Sequence, residues 1–180
     1  KGVSDMILLD NNFASISLAI QEGRHIFFNI KKFLKYLTSS NIDEIIEVLS
    51  SIVLGLPLSL LPLQILWINL TSDSLPALAL SADPIDPEVI NQEPYDPKKE
   101  IFSGIFQFAV IVAIMDYIFT YGFFLYLLLI AKLPVLEART MSFTASVLFE
   151  FFLVFAIRSP KPAKLKDLIS NKLLILSVVL

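Results

Sequence analysis

Apolar residues keep a helical spacing in some stretches of this chain and run almost unbroken in others. Met6-Ile-Leu-Leu9 is a short run of strand length, closed by the turn-prone Asp10-Asn11-Asn12. A helical pattern follows through Phe13, Ile16 and Ala19–Ile20 to Gly23, so residues 1–23 predict the tail of an α/β unit. From Arg24, Ile26, Phe27, Ile30, Phe33, Leu34 and Leu37 hold helical spacing with no Gly or Pro before Gly55. Residues 24–56 therefore predict one helix of about 30 residues and about 45 Å, charged in its first half and apolar in its second. Pro57 to Pro62 forms a tight connection into a second apolar segment, 58–82. Residues 83–100 are a stiff connector dense in Pro and acids, and 101–131 and 140–158 predict two further spans. The loop 159–171 is basic, and the apolar run 172–180 is too short to cross a bilayer.

The polar residues inside these apolar segments carry the chemistry. Trp67-Ile-Asn-Leu-Thr-Ser-Asp-Ser-Leu-Pro-Ala77 holds Asn69, Ser72 and Asp73 at i, i+3 and i+4, on one helical face. An acid in a span costs about 2.5–3.5 kcal/mol on insertion scales, which marks Asp73 as a functional candidate. Pro76 removes a backbone donor and loosens the helix where carbonyl oxygens could turn toward an ion. Asn41 and Glu44 are three apart on the preceding span, and Glu150 sits on the 140–158 span. Together these predict an oxygen-lined site for a hard cation such as calcium, which takes six to eight oxygens. No Cys occurs in the chain and its one His, His25, lies outside the apolar segments, which argues against a soft transition metal.

Other polar residues have plainer readings. Ser39 and Ser40 are expected to act as interhelical glue, and Asp43 as a charge where the helix meets water. Glu47 fits a basic partner or a cavity, Asp116 is a lone acid, and His25 is expected to be solvated or interdomain. Lys31, Lys32 and Lys35 read as a positive membrane boundary.

Composition fits this layout. The chain is 180 residues, 56% hydrophobic and 12% aromatic, too apolar for one soluble core, so the lipid bilayer is an expected partner. A formal charge of -3 gives no sign of a nucleic-acid partner. With the N-terminal stretch inside, 12 Lys and Arg fall inside and only Lys132 and Arg139 outside, accounting for all 14. The polar start and the short final run read as a chain cut from a longer one.

Asp5-Met-Ile-Leu-Leu-Asp10-Asn-Asn-Phe, Glu22-Gly-Arg24 and Asn29-Ile-Lys-Lys-Phe33 resemble the end of the phosphorylation domain and the stalk of P-type cation pumps. Ser39-Ser-Asn-Ile-Asp-Glu44 resembles the ion-binding part of their fifth membrane helix. Gln64-Ile-Leu-Trp67 with Asn69-Leu-Thr-Ser-Asp73 resembles the sixth, and Arg139-Thr-Met-Ser-Phe to Phe149-Glu-Phe the eighth. The resemblance is to calcium pumps of the sarcoplasmic-reticulum type. It implies an all-α, multi-pass membrane bundle with a long stalk helix and a short α/β remnant of the phosphorylation domain at the N-terminus. Residues 101–131 would be the seventh helix and 172–180 the start of the ninth.

The resemblance further implies that Asn41, Glu44, Asn69, Ser72, Asp73 and Glu150 are the calcium-site side chains. Ser72 replaces a commoner Thr, and Ser74 and Asp43 each replace a usual Gly. The chain carries no Asp-Lys-Thr-Gly, Thr-Gly-Asp or Gly-Asp-Gly motif. ATP and Mg2+ would therefore act through other cytoplasmic domains, with the first membrane helices as further partners in the same pump. An acid at Glu150 goes with two calcium ions per cycle in pumps of this kind, and Asn69 is expected to turn away from the first site toward a second. The alternatives are a pump for manganese, sodium or protons, or a stand-alone non-catalytic membrane subunit.

Overall fold

A computed structural model of the protein describes residues 12–84, 101–158 and 170–179. The short strand expected at Met6–Leu9, most of the Pro-acid connector and most of the 159–171 loop lie outside the described residues. Every regular element among the described residues is helical.

Helix α1, Phe13–Val53, runs unbroken for 41 residues, about 60 Å at 1.5 Å per residue. Asn12 caps its start by accepting from the Ala14 N–H at 3.0 Å. Gly23 is absorbed as an ordinary helical residue, which joins the expected 13–23 pattern to the helix expected from Arg24 in one element. At the far end Gly55 adopts φ 64°, and the Gly55 and Leu56 N–H groups return to the carbonyls of Ile52 and Ser51. That is a Schellman turn, which needs a residue free to be left-handed.

The returning segment is built in three pieces. Helix α2, Pro62–Trp67, starts on a proline that has no N–H to satisfy, and Gln64 Oε1 accepts from the Leu61 N–H at 2.9 Å. Ile68–Asp73 is a π-helical segment, and α3, Ser74–Ser81, resumes the α form. Two residues explain the break. Pro76 has no N–H to offer the Ser72 carbonyl four residues back, and the Tyr36 hydroxyl of α1 supplies one instead at 3.2 Å. Ser74 Oγ donates to the Asn69 carbonyl at 2.6 Å.

Helix α4, Ile101–Leu125, continues as a π turn, Tyr126–Ile130, and reverses at Lys132, φ 53°, ahead of Pro134. Helix α5, Val135–Arg158, begins five residues before the expected span, and α6, Lys172–Val179, is capped by Asn171 Oδ1 accepting from Leu174 N–H at 3.0 Å. Gly104–Ile130 and Val135–Arg158 are long and apolar enough to cross a membrane.

Side-chain pairs fix how the helices run. Asn29 to Ser81, Glu44 to Asn69 and Glu47 to Ser59 set α1 antiparallel to the returning segment. Lys35 over Phe108 and Glu47 against Thr120 set α1 parallel to α4. Phe119 with Phe149 and Ser142 with the Thr120 carbonyl set α5 antiparallel to α4. Small residues make the close approaches: Ala109 and Ala113 on α4, and Ala138, Ser142 and Ser146 on α5, are all buried.

The burial pattern is inverted relative to a water-soluble protein. On α1 the buried face holds Ser39, Ser40, Asp43, Glu44, Glu47 and Ser51, while Ile45, Leu49 and Ile52 point outward. Ile111, Met115 and Ile118 on α4 and Phe152 on α5 are likewise exposed. A chain with polar groups inside and a continuous apolar coat is an integral membrane protein.

At the basic end of the bundle the helices meet on Asp83. Its carboxylate accepts from Lys32 Nζ at 2.7 Å, Arg158 Nε at 2.7 Å and Asn171 Nδ2 at 3.0 Å. Its carbonyl lies 2.7 Å from His25 Nε2 and accepts from Asn29 at 3.0 Å. His25, expected to be solvated or interdomain, is part-buried against the Asp83 carbonyl, and Lys32, read as a boundary charge, is also an ion-pair partner.

Candidate cation site

The π segment determines which groups of the returning helix face α1. Widening the turn brings Ser72 and Asp73 to the inside together, and both are buried. Neither Asp73 carboxylate oxygen has a hydrogen-bond partner, nor does Ser72 Oγ. Asp73 faces Tyr36, Ser40 and Glu150 without reaching hydrogen-bond geometry with any of them. Glu150, from α5, is held at one oxygen by Ser40 Oγ at 2.6 Å, and its Oε2 is also unpartnered. A buried polar atom without a partner costs about 1–3 kcal/mol, and more if charged. Four such oxygens on Ser72, Asp73 and Glu150 are therefore costly in this arrangement, and a cation bound among them would offset that cost.

A second group lies on the open side of α1. Asn69 Nδ2 donates to both Glu44 oxygens, at 2.9 and 2.7 Å. Asn41 Nδ2 donates to the Leu37 carbonyl at 2.7 Å. Asn41, Glu44 and Asn69 line a cavity of about 570 Å³ with Val48, Pro62 and Leu66. Asn69 thus does not turn away from Glu44; it bridges the two helices through it. The six expected residues divide into an open set, Asn41, Glu44 and Asn69, and an inner set, Ser72, Asp73 and Glu150. Among the described residues no three Asp, Glu or His side chains gather closely enough to hold a metal ion by themselves. Amide, hydroxyl and carbonyl oxygens would have to complete any ion's shell.

Asp43 was expected at the water boundary and is instead buried, 4% exposed, with one oxygen unpartnered. It lies on the face of α1 that packs against α4, where the register of Lys35 with Phe108 and of Glu47 with Thr120 sets it opposite Asp116. Two further residues carry more of the site than the sequence indicates. Tyr36 takes up the carbonyl freed by Pro76, and Ser40 fixes Glu150. The signal for Tyr36 is its spacing from Ser40, one turn along the polar face.

Residues 57–180 match the family described as cation transporting ATPase, C-terminus. The chain is 48% identical over 103 residues to a protein named calcium-transporting ATPase from Bacillus subtilis (strain 168), covering 57% of this chain and 12% of that protein. It is 46% identical over 110 residues to calcium-transporting ATPase 1 from Bacillus cereus (strain ATCC 10987 / NRS 248), covering 61% of this chain and 12% of the relative. The chain thus matches about an eighth of the length of these relatives. With the family matched over more than half of its residues, the chain belongs to the C-terminal region of the cation-transporting ATPases.

Proposed function

We propose that this chain is the cation-binding membrane part of an ATP-driven P-type pump that transports calcium by alternating access. The observation that carries the reading is the set of buried, unpartnered oxygens on Ser72, Asp73 and Glu150, beside an open polar face on Asn41, Glu44 and Asn69. The names of the two Bacillus relatives support calcium as the cargo. All six residues offer hard oxygen donors, the kind that calcium prefers.

In this reading Glu44 exchanges its contacts with the Asn69 amide for the ion. Asn69 would then rotate to present its carbonyl oxygen. The inner carboxylates supply the negative charge that a divalent ion needs once its water is shed. The N-terminal end of α1 is cytoplasmic, residues 1–23 close the phosphorylation domain, and α1 passes that domain's movement directly to Asn41 and Glu44. ATP and Mg2+ act in domains that other parts of the pump provide, and helices preceding this region fill the cavity beside Glu44.

The test is calcium-dependent phosphorylation from ATP in the full-length pump. Glu44→Gln and Asp73→Asn are each expected to abolish it while leaving phosphorylation by inorganic phosphate intact. Normal calcium dependence in both variants would reject the site, and dependence on manganese or sodium in place of calcium would reject the cargo.

A further inference from the structure

Among the described residues, seven buried side-chain oxygens have no hydrogen-bond partner. Four belong to Ser72, Asp73 and Glu150. The other three, Asp43 Oδ1, Asp116 Oδ1 and Ser146 Oγ, lie outside the residues assigned to the cation site and come from three different helices. Asp43 is 4% exposed, Asp116 2% and Ser146 4%.

The register of the helices brings these three to one level. Glu47 on α1 meets Thr120 on α4, and the two run parallel, so one turn back along both sets Asp43 opposite Asp116. Lys35 over Phe108, each eight residues earlier, gives the same pairing. On α5, Ser142 Oγ donates to the Thr120 carbonyl at 3.1 Å. Because α5 is antiparallel to α4, one turn on from Ser142 sets Ser146 opposite Asp116. The bond from Ser40 to Glu150 fixes the same level between α1 and α5, with Ser146 one turn from Glu150 and Asp43 about one turn from Ser40.

The charge at this seam is one-sided. Asp43 is faced by Asp116, Glu47 and Glu44, and Asp116 by Glu47 and Asp73. Two basic groups of these helices are engaged elsewhere: Lys35 lies over Phe108, and Arg139 Nε donates to the Leu58 carbonyl at 2.9 Å. Glu47 is not a candidate ligand, because Ser59 Oγ at 2.8 Å and Thr120 Oγ1 at 2.5 Å already occupy its two oxygens. Facing carboxylates in a dry seam repel each other and lose their hydration, which is costly unless something positive sits between them. A proton serves two oxygens at most. A cation serves all three and gives Ser146 Oγ the partner it lacks.

The donors select the kind of cation. Two carboxylates and a hydroxyl offer up to five hard oxygens, two from each acid and one from the serine, with no sulfur or imidazole nitrogen to favour a soft metal. The two negative charges of the ionised pair are balanced by one divalent ion, whose shell backbone carbonyls or water would complete. None of the three residues lines the cavity beside Glu44, so an ion here does not share the opening of Asn41, Glu44 and Asn69.

We infer that Asp43, Asp116 and Ser146 form a separate site for a resident hard divalent cation (calcium, magnesium or manganese), which ties α1 to α4 and α5 and is not carried across the membrane. This goes beyond the transport reading and does not depend on it.

The test uses the full-length pump carrying Asp73→Asn, which disables the proposed transport site. Its metals are counted by plasma mass spectrometry after gel filtration in metal-free buffer, and Tm is followed before and after dialysis against EDTA. One calcium, magnesium or manganese per pump is expected in excess over the Asp73→Asn/Asp116→Asn double variant. EDTA should remove that ion and lower Tm by several degrees, and adding back the same metal alone should restore it, while the double variant does not respond. Ser146→Ala in the Asp73→Asn background changes no charge and decides the matter if the double variant does not fold. It should raise the metal concentration needed for half-recovery at least about tenfold, the low end of what losing one partner of a metal site costs. Equal metal content with and without Asp116, or a recovery that Ser146→Ala leaves unchanged, would overturn the site. Recovery by sodium or potassium alone would overturn the divalent assignment. A resident ion in a pump whose unmodified form binds no exchangeable calcium would reject the transport reading and leave this site standing.

Discussion

Asp73 and Asp83 are ten residues apart in one returning segment, both buried, and the protein treats them in opposite ways. Asp83 is surrounded by donors: Lys32, Arg158 and Asn171 satisfy its carboxylate, and His25 and Asn29 meet its carbonyl. Asp73 meets none, and both of its oxygens are left open among Tyr36, Ser40 and Glu150. The same side chain thus serves as a clamp where its partners are built in, and where they are withheld it is left with the open oxygens on which the proposed cation site rests. A fully paired buried acid holds helices together, and an unpaired one waits for something else.

The comparison breaks most visibly at the clamp. Asp83→Ala leaves the part-buried Lys32 and Arg158 without their carboxylate, and removing one partner of a buried pair costs up to about 3–5 kcal/mol. Thermal unfolding of the full-length pump in detergent should show a clear drop in Tm, whereas Asp73→Asn should leave Tm nearly unchanged or raise it.

The next effect tests the rod that joins the two regions. Inserting Gly-Gly after Lys35 costs about 2 kcal/mol of helix stability and rotates everything beyond it. Calcium transport should fall further than ATP hydrolysis, measured in one vesicle preparation. Equal losses would show that α1 does not act as the lever.

Glu150 sharpens the boundary between the inner and open sets. Glu150→Gln keeps the bond from Ser40 and removes one inner charge. It is expected to reduce two cooperative calcium ions to one, read as a Hill coefficient falling toward one in equilibrium binding. One ion and no cooperativity in the unmodified pump would contradict the two-ion reading.

The smallest effect concerns the exposed part of α1. A Cβ on Gly23 would meet nothing within 4 Å, and the residue has no positive φ. Gly23→Ala should therefore stabilise the helix by about 0.8–1 kcal/mol, seen as slower amide exchange around it. No such gain would place the cost of Gly23 elsewhere than in its helix.

The sequence discloses features that repeat along one helix and hides those that need several. Asn41 with Glu44, and Asn69 with Ser72 and Asp73, are visible because three- and four-residue spacing puts them on shared faces. Pro76 signals a loosened helix, but that the Tyr36 hydroxyl takes the freed carbonyl depends on which helix lies opposite. Asp43 reads as a boundary charge until α4 is seen to cover it. Asp83 reads as the first acid of a connector because its partners, Lys32, Arg158 and Asn171, come from three distant parts of the chain. Glu47 is ambiguous for the same reason, since Ser59 and Thr120 reach it from different elements.

Equilibrium calcium binding to the purified full-length pump, compared among the unmodified protein, Asp73→Asn and Asp83→Asn, tests the central claim most directly. Asp73→Asn should weaken binding about 100-fold, the equivalent of ~2.8 kcal/mol at 1.4 kcal/mol per decade, with its Tm retained. Asp83→Asn should lower Tm while each folded molecule binds calcium as before. Unchanged calcium affinity in Asp73→Asn, or a loss of affinity confined to Asp83→Asn, would contradict the account.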